Sequence, residues 1–494
     1  MKTRNIAAVD LGASSGRVLL ARFDGQSLDL QEVHRFPNRP VMLRGHRFWN
    51  MLNLWDETLA GLRKARTLAG TLDSVGVDTW GVDYGLVDAS GFPLGLPFQY
   101  RDARTDGVME QVFARIPREL LYRRTGVQLL PINTLFQLYA HEQMQPGHLA
   151  HAHRLLMIPD LLHSWLSGSM VTERTNATTT QCWDPLAAQW ATDLLEWLEI
   201  PTSMLAPVVE AGTVLGEVLP EWRGEFGNAL VITPATHDTG SAIAATPAKA
   251  ASNWGYISSG TWSLVGAELA QPVMTEAALA ANFTNEGGVF GTTRFLKNIT
   301  GLWLLQECQR RWEYEGHSID YDTLLADVDA VPPFAALIDP DDARFLAPAD
   351  MPAAINSYLI EHGQAPLSAP AAFARCIMES LVLRYCQVFA QMSALTGDIM
   401  NQVHVLGGGA RNNRLNLWLA DALSVPVIAG PYEATALGNA LMQLVGLDEL
   451  HTLEEVRTIA RNAPTRVFLP REAEQAAWQE AAQRFRAITG GGVP

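Results

Sequence analysis

A pattern of an apolar strand, a glycine-rich turn and a second strand occurs twice, and it constrains the fold more than any other feature. The first copy comprises NIAAVDL (5–11), the turn GASSG (12–16) and RVLLARF (17–23). The second copy begins roughly 245 residues later with WGYISSG (254–260) and continues after a Gly-Thr turn as WSLVGAEL (262–269). Since β-branched and alternating residues are typical of strands, the recurrence predicts a duplicated α/β domain.

The residues after the first turn continue this pattern. LDLQEVHRF (28–36) predicts a third strand, and residues around Trp80 and Gly81 predict two more short ones. Between them, the spacing of Leu52, Trp55, Leu59 and Leu62 predicts a helix with these four side chains on one face. Three strands, a helix and a further strand is the element order of the ribonuclease H-like fold, although the pattern alone leaves that fold open.

The second half predicts helices at 302–312 and 371–395, with proline-rich loops and short helices between them. The segment 402–430 predicts a strand, a glycine-rich turn, a helix and a strand, and 472–488 predicts a terminal helix. The small-residue run TGSAIAATPAKAA (239–251) predicts a domain junction near residue 250. We therefore expect an N-terminal domain of residues 1–247 and a C-terminal domain of residues 248–494.

Charge and composition exclude several classes of protein. The 494 residues carry 36 Lys+Arg and 52 Asp+Glu, a net charge of −16, and no basic block marks a nucleic-acid or anionic-membrane surface. The N-terminal apolar run is too short for a signal peptide, and no later run is long enough to span a bilayer. The four scattered cysteines predict a reduced, cytoplasmic protein without disulfides. An anionic ligand would therefore need local basic groups.

Three glycine-rich turns follow predicted strands, at 12–17, 258–261 and 407–409. Each one alone could be an ordinary tight turn. Together, and each beside a hydroxyl or an arginine, they favour phosphate binding, because glycines let backbone N–H groups approach phosphate oxygens. Neither GxxxxGK[ST] nor a GxGxxG after a strand occurs, so a nucleotide would bind between hairpins.

Asp10, Asp78 and Asp238 each end an apolar strand, where a sheet can bring charges together at one crevice. Each could instead be a turn-forming aspartate. Phosphoryl transfer to a hydroxyl needs a metal on the phosphates and a carboxylate that accepts the hydroxyl proton. Asp10 suits Mg²⁺, and Asp238, flanked by His237 and Thr239, suits the base beside a polyol.

Other chemistries fit less well. Residues 12–16 match the GxSxG nucleophile elbow of hydrolases, but a predicted strand follows where the elbow requires a helix. His141 and Glu142 lack the second histidine of a zinc site. Trp80 could stack on a sugar or lie in the core, and YRDART (100–105) could be only a surface ion pair.

An ordered set of motifs along nearly the whole chain resembles the FGGY family of carbohydrate kinases. The motifs are AVDLGASSGR, GVDTWGVDYGLVD, PFQYRDART, NATTTQ, ATHDTGSA, YISSGTWSLVG, ANFTNEGG, LKNITGLWLLQ, IDPDDARFLAPADM and VLGGGARNN. The resemblance implies two ribonuclease H-like domains of the actin/hexokinase type, with an interdomain active-site cleft, and MgATP-dependent phosphorylation of a sugar. Within the family, the motifs are similar to those of members that phosphorylate L-rhamnulose at O1 in cytoplasmic rhamnose breakdown.

The resemblance also implies roles for individual residues. Asp238 matches the proton acceptor, and Asp10 matches the metal-side acid. The matching sugar contacts are Gly81, His237, Asp238, Thr239 and Asn298. The matching ATP contacts are Ala13, Ser14, Ser15, Gly16, Arg17, Thr261, Gln306 and Gly408.

Some alternatives stay open at this point. A kinase for another ketose, such as L-fuculose or a xylulose, would carry the same motifs, because pocket contacts decide which sugar binds. A sugar or nucleotide sensor on the same fold is a second alternative, which the retention of Asp238 and all three turns disfavours. We expect a monomer that closes around its substrates and binds neither nucleic acid nor membrane.

Overall fold

The structure is a computed structural model that describes residues 3–249, 252–317, 319–346 and 348–490. Its strands are β1 (Arg4–Leu11), β2 (Ser15–Phe23), β3 (Leu28–Pro37), β4 (Val41–Leu43), β5 (His46–Phe48), β6 (Ser74–Thr79), β7 (Tyr84–Val87), β8 (Arg154–Met157), β9 (Thr172–Glu173), β10 (Trp183–Asp184), β11 (Gln189–Trp190), β12 (Val208–Val209), β13 (Val214–Glu217), β14 (Leu230–Ile232), β15 (Trp254–Ser259), β16 (Trp262–Leu269), β17 (Thr284–Gly287), β18 (Thr293–Thr300), β19 (Gln402–Leu406), β20 (Val427–Ala429) and β21 (Arg466–Phe468). Its α-helices are α1 (Met51–Ala69), α2 (Val108–Phe113), α3 (Arg118–Thr125), α4 (Thr134–Met144), α5 (Ile158–Ser167), α6 (Arg174–Ala177), α7 (Thr192–Trp197), α8 (Pro220–Phe226), α9 (Asp238–Ala244), α10 (Glu276–Ala280), α11 (Trp303–Tyr314), α12 (Tyr321–Asp327), α13 (Met351–Glu361), α14 (Pro370–Thr396), α15 (Asn413–Leu423), α16 (Ala434–Gly446), α17 (Leu453–Ala460) and α18 (Glu472–Thr489).

The first large sheet has the strand order β13-β14-β6-β1-β2-β3. Strand β1 pairs antiparallel with β2 along its whole length and parallel with β6. Side chains of β1 point alternately into two apolar layers, with Val9 in one and Ala8 in the other. The predicted three strands, helix and further strand occur in that order as β1, β2, β3, α1 and β6, but the short hairpin β4–β5, which was not predicted, precedes the helix. A strand, β2, follows the first glycine-rich turn where a hydrolase elbow would need a helix.

The second large sheet has the order β17-β18-β16-β15-β19-β20-β21. Strand β15 pairs antiparallel with β16 and parallel with β19, just as β1 pairs with β2 and β6. The repetition seen in the sequence is therefore a repetition of strand pairing. The predicted strand, turn, helix and strand at 402–430 appear as β19, a glycine-rich 3-10 turn, α15 and β20.

The chain forms two compact units that alternate along the sequence. The first unit comprises Met1–Ala250, Glu268–Leu296 and Glu433–Ala463, and the second comprises Ala251–Ala267, Lys297–Tyr432 and Pro464–Pro494. Helices α16 and α17 therefore belong to the first unit, although they lie late in the chain. The division at 247 and 248 stays a prediction.

The face of α1 that carries the four predicted residues is only partly buried. Leu59 and Leu62 are buried, whereas Leu52 is 73% exposed. Ten residues separate Leu52 from Leu62, and at 100° per residue the two side chains lie about 80° apart around the helix. The buried face instead begins with Met51 and Leu54.

Helix α14 is the longest of the described helices and carries buried charge. Its Arg375 and Glu379 form an ion pair of 2.7 Å between Nε and Oε1, four residues apart on one face. Among the helices of the described residues, none has the length and apolar character to cross a membrane. The four cysteines are free thiols, and three of them are buried.

Candidate active site

The first glycine-rich turn, which joins β1 to β2, is closed by its own backbone and by a neighbouring asparagine. Gly12 N donates to Ser15 O at 2.9 Å, and Asn38 Nδ2 donates to Gly12 O at 2.9 Å. A Cβ on Gly16 would lie 2.4 Å from the ring of Phe36, so only glycine fits there. Ser14 at the tip is exposed. The turn thus presents short side chains and backbone to solvent, where an anion can approach it.

Arg17 links this turn to two carboxylates. Its Nε and Nη2 donate to Asp10 Oδ2 at 2.9 and 2.7 Å, and its Nη1 donates to Glu433 Oε2. Burial disfavours the charged form of the Arg17 guanidinium, but the negative charges of Asp10 and Glu433 favour it more strongly. The pKa of Arg17 is therefore raised above its ordinary value. The guanidinium therefore stays charged.

The three aspartates that the sequence singles out act on each other electrostatically, but only two of them end a strand as predicted. Asp238 instead lies six residues after β14, at the start of α9. Asp10 and Asp78 are register partners on the parallel strands β1 and β6. Burial raises the pKa of Asp78 well above its ordinary value, and the charges of Asp10 and Asp238 raise it further, while an amide hydrogen bond from Asn439 lowers it. That bond, from Asn439 Nδ2 to Asp78 Oδ2, is 2.6 Å long. Among the described residues, no three side chains form a metal-binding cluster by themselves.

Asp238 is the first residue of α9 and is partly exposed. Burial raises its pKa, and the charge of Asp10 adds to this, whereas His237 and the hydrogen bonds from Thr239 act in the opposite direction. The backbone N and the Oγ1 of Thr239 both donate to Asp238 Oδ1. A carboxylate with raised proton affinity, held from one oxygen, is the environment of a general base.

The turn before Asp238 is anchored by a buried carboxylate. Glu173 Oε2 accepts hydrogen bonds from Thr236 N at 2.9 Å and from Thr236 Oγ1 at 3.0 Å. Thr175 Oγ1 donates to the same oxygen and accepts from His237 N. Strand β6 joins from the other side, because Thr79 N donates to Thr236 O at 2.9 Å. The backbone that carries the candidate base is therefore fixed from two directions.

Three charged or ionisable side chains meet behind this turn. Arg294 Nη2 donates to His237 Nδ1 at 3.1 Å, and Arg294 Nη1 lies 3.2 Å from Glu286 Oε2. The same Glu286 oxygen lies 3.3 Å from His237 Nδ1, and His237 Nε2 lies 3.6 Å from Asp238 Oδ1. Glu286 and Arg294 thus contact His237, which in turn lies next to Asp238.

Gly81 and Trp80 lie in the loop between β6 and β7. A Cβ on Gly81 would lie 3.0 Å from Thr179, so the loop packs tightly on that side chain. Trp80 is 6% exposed, its ring lies 4.0 Å from that of Trp49, and its Nε1 donates to Asp83. This places Trp80 in the core. Burial raises the pKa of Asp83 to about 6.

The second glycine-rich turn, at 258–261, lies in the second unit and contacts the beginning of helix α11. Leu302 N donates to Gly260 O at 3.0 Å and Trp303 N donates to Thr261 O at 3.2 Å, so the turn accepts bonds from the beginning of α11. One turn further along α11, Gln306 lies beside the hydroxyl of Thr261, with 3.4 Å between Oγ1 and Oε1. The structure therefore brings Thr261 and Gln306 together.

The third turn packs against the second. A Cβ on Gly409 would lie 2.1 Å from Ser259 Oγ, and Gly407 has φ +76°, a conformation that favours glycine. Gly408 between them is exposed.

Asn298, a predicted sugar contact, is half-buried on β18.

Several residues of this site could not be identified from the sequence alone. Glu433 is 416 positions from Arg17, and no local signal links the two. Glu286 lies in the motif ANFTNEGG. That motif contributes to the family resemblance, but the resemblance assigns no role to this glutamate. Asn439 could be found only from the packing of α16 on β1 and β6.

Comparison with known proteins gives concordant family matches. The model of the N-terminal domain of the FGGY family of carbohydrate kinases matches residues 5–244, and that of its C-terminal domain matches residues 255–447. A rhamnulokinase of Pectobacterium atrosepticum is 43% identical over 99% of this chain and 97% of its own length. A rhamnulokinase of Bacteroides thetaiotaomicron is 40% identical over 98% of this chain and 99% of its own.

Solved structures share the fold at low sequence identity. A gluconate kinase from Lactobacillus acidophilus superposes with a TM-score of 0.82 at 14% identity, covering 99% of this chain and 98% of that one. Plasmodium falciparum glycerol kinase with ADP superposes with a TM-score of 0.76 at 15% identity, covering 98% of both chains. These similarities support the two-domain α/β kinase fold.

Proposed function

Because the chain belongs to the FGGY family of carbohydrate kinases, we propose that it transfers the γ-phosphoryl group of ATP to O1 of L-rhamnulose, a step of rhamnose breakdown. The products are L-rhamnulose 1-phosphate and ADP. The observation that carries the choice of sugar is the set of relatives named rhamnulokinase, which match at 40–44% identity over nearly the whole chain.

Asp238 is the proposed general base. It accepts the proton of the O1 hydroxyl as that oxygen attacks the γ-phosphorus in line, and the bond to the leaving β-phosphate oxygen breaks. Its raised pKa suits this role, since a stronger base shares the proton more readily in the transition state. His237, Thr239, Gly81 and Asn298 are the proposed sugar contacts.

The proposed nucleotide contacts come from all three glycine-rich turns. Backbone N–H groups of residues 13–16 and the guanidinium of Arg17 would bind phosphate oxygens, and Thr261, Gln306 and Gly408 would bind the rest of ATP. Support comes from the pairing of Thr261 with Gln306 and from the exposed backbone at Ser14 and Gly408. Preorganised donors of this kind stabilise charge that develops during transfer.

Asp10 is the proposed residue on the Mg²⁺ side. The donor chemistry fits, since Asp10, Asp78 and Asp238 are hard oxygen ligands that influence one another, and Mg²⁺ keeps several waters and needs few carboxylates. When bound, Mg²⁺ neutralises phosphate charge. Arg17 holds the Asp10 carboxylate in a fixed orientation through two hydrogen bonds to Oδ2.

The test is ADP release from MgATP by the purified full chain across L-rhamnulose, L-fuculose, L- and D-xylulose, L-ribulose, D-fructose and glycerol. Asp238→Asn should lower turnover with L-rhamnulose by roughly 10² to 10⁴, the usual worth of a positioned acid or base. Asp398→Asn, at an exposed aspartate, is the matched control and should leave turnover unchanged.

Each result bears on a different part of the proposal. A preference for another ketose would overturn the substrate and keep the base. A turnover of Asp238→Asn within tenfold of the parent would overturn the base. No sugar-dependent turnover at all would favour the sensor. A monomeric, cytoplasmic protein stays a prediction, which sedimentation and cell fractionation test.

A further inference from the structure

The loop between β6 and β7 contains a tight three-residue turn. Asp83 N donates to Gly81 O at 2.9 Å, so Val82 is the central residue of this turn. The φ angle of Val82 is +65°, which corresponds to the γ-turn with positive φ, the rare and strained form. A β-branched residue is seldom found at positive φ, because its Cβ lies too close to a backbone carbonyl oxygen. Val82 therefore holds conformational strain next to Gly81, a proposed sugar contact.

Two buried threonines hold the backbone of Val82. Thr134 Oγ1 donates to Val82 O at 2.6 Å, and Thr179 Oγ1 accepts from Val82 N at 3.1 Å. Thr134 is the first residue of α4 and Thr179 lies just after α6, so the two hydroxyls come from positions 52 and 97 residues away. A strained conformation persists only when the surrounding structure holds it. Both polar backbone atoms of Val82 are held in this way.

The ends of the turn are also bonded. Asp83 Oδ2 accepts from Trp80 Nε1 at 3.0 Å, and Asp83 Oδ1 accepts from Gln137 Nε2 at 2.8 Å. The same Gln137 nitrogen lies 3.3 Å from Val82 O, farther away than the hydroxyl of Thr134. Thr134 therefore gives the closest support to the Val82 carbonyl, and Asp83 keeps the ends of the loop in place when that hydroxyl is removed.

The turn fixes the orientation of the peptide group between Gly81 and Val82. Gly81 O accepts from Asp83 N and Val82 N donates to Thr179, so this peptide group is bonded at both of its polar atoms. Gly81 is buried, and its own N–H has no acceptor among the described residues. A buried N–H in a protein nearly always has a partner, and an oxygen of the sugar fits this one. Relaxation of Val82 to negative φ would rotate the peptide group away from this orientation.

We propose that Thr134 and Thr179 are positioning residues, which hold Val82 in its left-handed conformation and thereby fix Gly81 where the sugar binds. The inference rests on the proposed function, in which Gly81 contacts L-rhamnulose. Backbone strain occurs at sites that must be held in one geometry, since a relaxed loop would adopt several. The two threonine hydroxyls therefore act on the affinity for the sugar, and they act through the turn.

Thr134→Val is the first test, by steady-state kinetics of the full chain with L-rhamnulose and MgATP. It keeps the shape of the side chain and removes the donor to Val82 O, so part of the population relaxes. We expect the KM for L-rhamnulose to rise about 3- to 10-fold, the worth of one hydrogen bond. The KM for ATP and the kcat at saturating sugar should stay within about twofold, because a population shift lowers only the apparent affinity. Thr134→Ser retains the hydroxyl and should stay near the parent values.

Thr125→Val is the matched control. Thr125 is also a buried threonine, and its Oγ1 donates to Leu121 O at 2.9 Å within α3. The substitution removes a hydroxyl of the same kind away from the turn, so a general effect of losing a buried hydroxyl would appear here as well. Both KM values should stay near those of the parent. An equal rise of the sugar KM in this control would overturn the role of the turn.

A substitution at the centre of the turn separates strain from packing. Glycine adopts positive φ without steric cost, so Val82→Gly relieves the strain and still allows the turn. Combined with Thr134→Val, it should recover part of the lost affinity for the sugar, whereas two independent packing losses would add. Ala188→Gly, at an exposed residue with φ +50° in another loop, should recover nothing in the same combination.

Hydrogen exchange of the free protein reports on the turn without any substrate. The amides of Val82 and Asp83 both donate hydrogen bonds, so fragments that contain them should exchange slowly in the parent. Exchange should be faster in Thr134→Val and slower again when Val82→Gly is added. Thr179→Val removes the acceptor of Val82 N and should also give faster exchange and a higher sugar KM, which covers the case that Thr134→Val does not fold.

Each outcome decides one claim. An unchanged sugar KM in both threonine-to-valine variants, or a combined variant that binds the sugar no better than Thr134→Val, would overturn the positioning role. Unchanged exchange in both threonine variants would show that the hydroxyls do not hold the turn. If the unsubstituted protein phosphorylates no ketose, the proposed function fails, while hydrogen exchange still decides whether Thr134 and Thr179 hold Val82.

Discussion

The hairpins β1–β2 and β15–β16 have the same pairing pattern but differ in charge. Next to the first turn, Arg17 bridges Asp10 and Glu433. At the second, the neighbouring side chains are neutral: Thr261 lies beside Gln306, and Ser263 Oγ is 2.8 Å from Tyr385 OH. Both turns contain glycine, but of these contacts only those of the first turn add fixed charge.

This difference shows that strand pairing and side-chain chemistry are separate properties of a duplicated fold. In both halves, the turn belongs to an antiparallel hairpin whose first strand also pairs parallel with a later strand, β1 with β6 and β15 with β19. Whether that turn also holds charges depends on which distant segment packs beside it. Here, Glu433 joins the first hairpin immediately before α16. We therefore expect substitutions at the first hairpin to act mainly through charge and those at the second through neutral hydrogen bonds.

Among substitutions at the two hairpins, the largest effect is expected from Arg17→Met at the first. It removes the guanidinium from two carboxylates and from the proposed phosphate contact, so kcat/KM for ATP should fall about 10²- to 10³-fold. Steady-state kinetics with varied ATP measure this. Arg22→Met, on the same strand, is the control and should change little. A defect confined to the sugar KM would contradict the proposed role.

A comparison of Gly16→Ala with Gly260→Ala tests how tightly each hairpin is packed. The new methyl group meets the Phe36 ring at 2.4 Å in the first hairpin, whereas in the second its nearest neighbour is Trp262 O at 3.9 Å. Gly16→Ala should lower the free energy of unfolding by about 1–3 kcal/mol, and Gly260→Ala by less than about 0.5 kcal/mol. Urea unfolding measures both. Equal losses would mean that the hairpins are packed alike.

Thr261→Val tests the neutral hairpin. The substitution keeps the shape and removes one hydroxyl, so the KM for ATP should rise about 2- to 10-fold, the worth of one neutral hydrogen bond. Thr261→Ser keeps the hydroxyl and should stay near the parent value. A loss as large as that of Arg17→Met would remove the proposed distinction between a charged and a neutral turn.

The pH dependence of turnover is the smallest effect. Asp238 accepts a proton only when ionised, and its pKa is raised, so kcat/KM for the sugar should fall as pH falls through that raised value. Thr239→Val removes a hydrogen bond that lowers this pKa, and the acidic limb should move to higher pH. Thr261→Val should leave the limb in place. Profiles of kcat/KM against pH for the three proteins measure this.

Much of the fold follows from local patterns. The strands at 4–11 and 15–23, the long helix 370–396 and the terminal helix agree with the predictions within a few residues, because alternation, helical periodicity and glycine turns act over short distances. The exposure of Leu52 on α1 could not be predicted, since a helical spacing alone does not show which side meets the sheet. The roles of Asp238, Arg17 and Thr261 stay predictions.

The sequence by itself determined the two hairpins, the three glycine-rich turns, the candidate base and, through its motifs, the family. Only the tertiary structure decided that Arg17 pairs with Glu433, that Asn439 bonds to Asp78 and that Arg294 donates to His237. The physical reason is that burial makes pairing obligatory for charges and amides, and the partner is whichever side chain the packing of distant segments brings within hydrogen-bond reach.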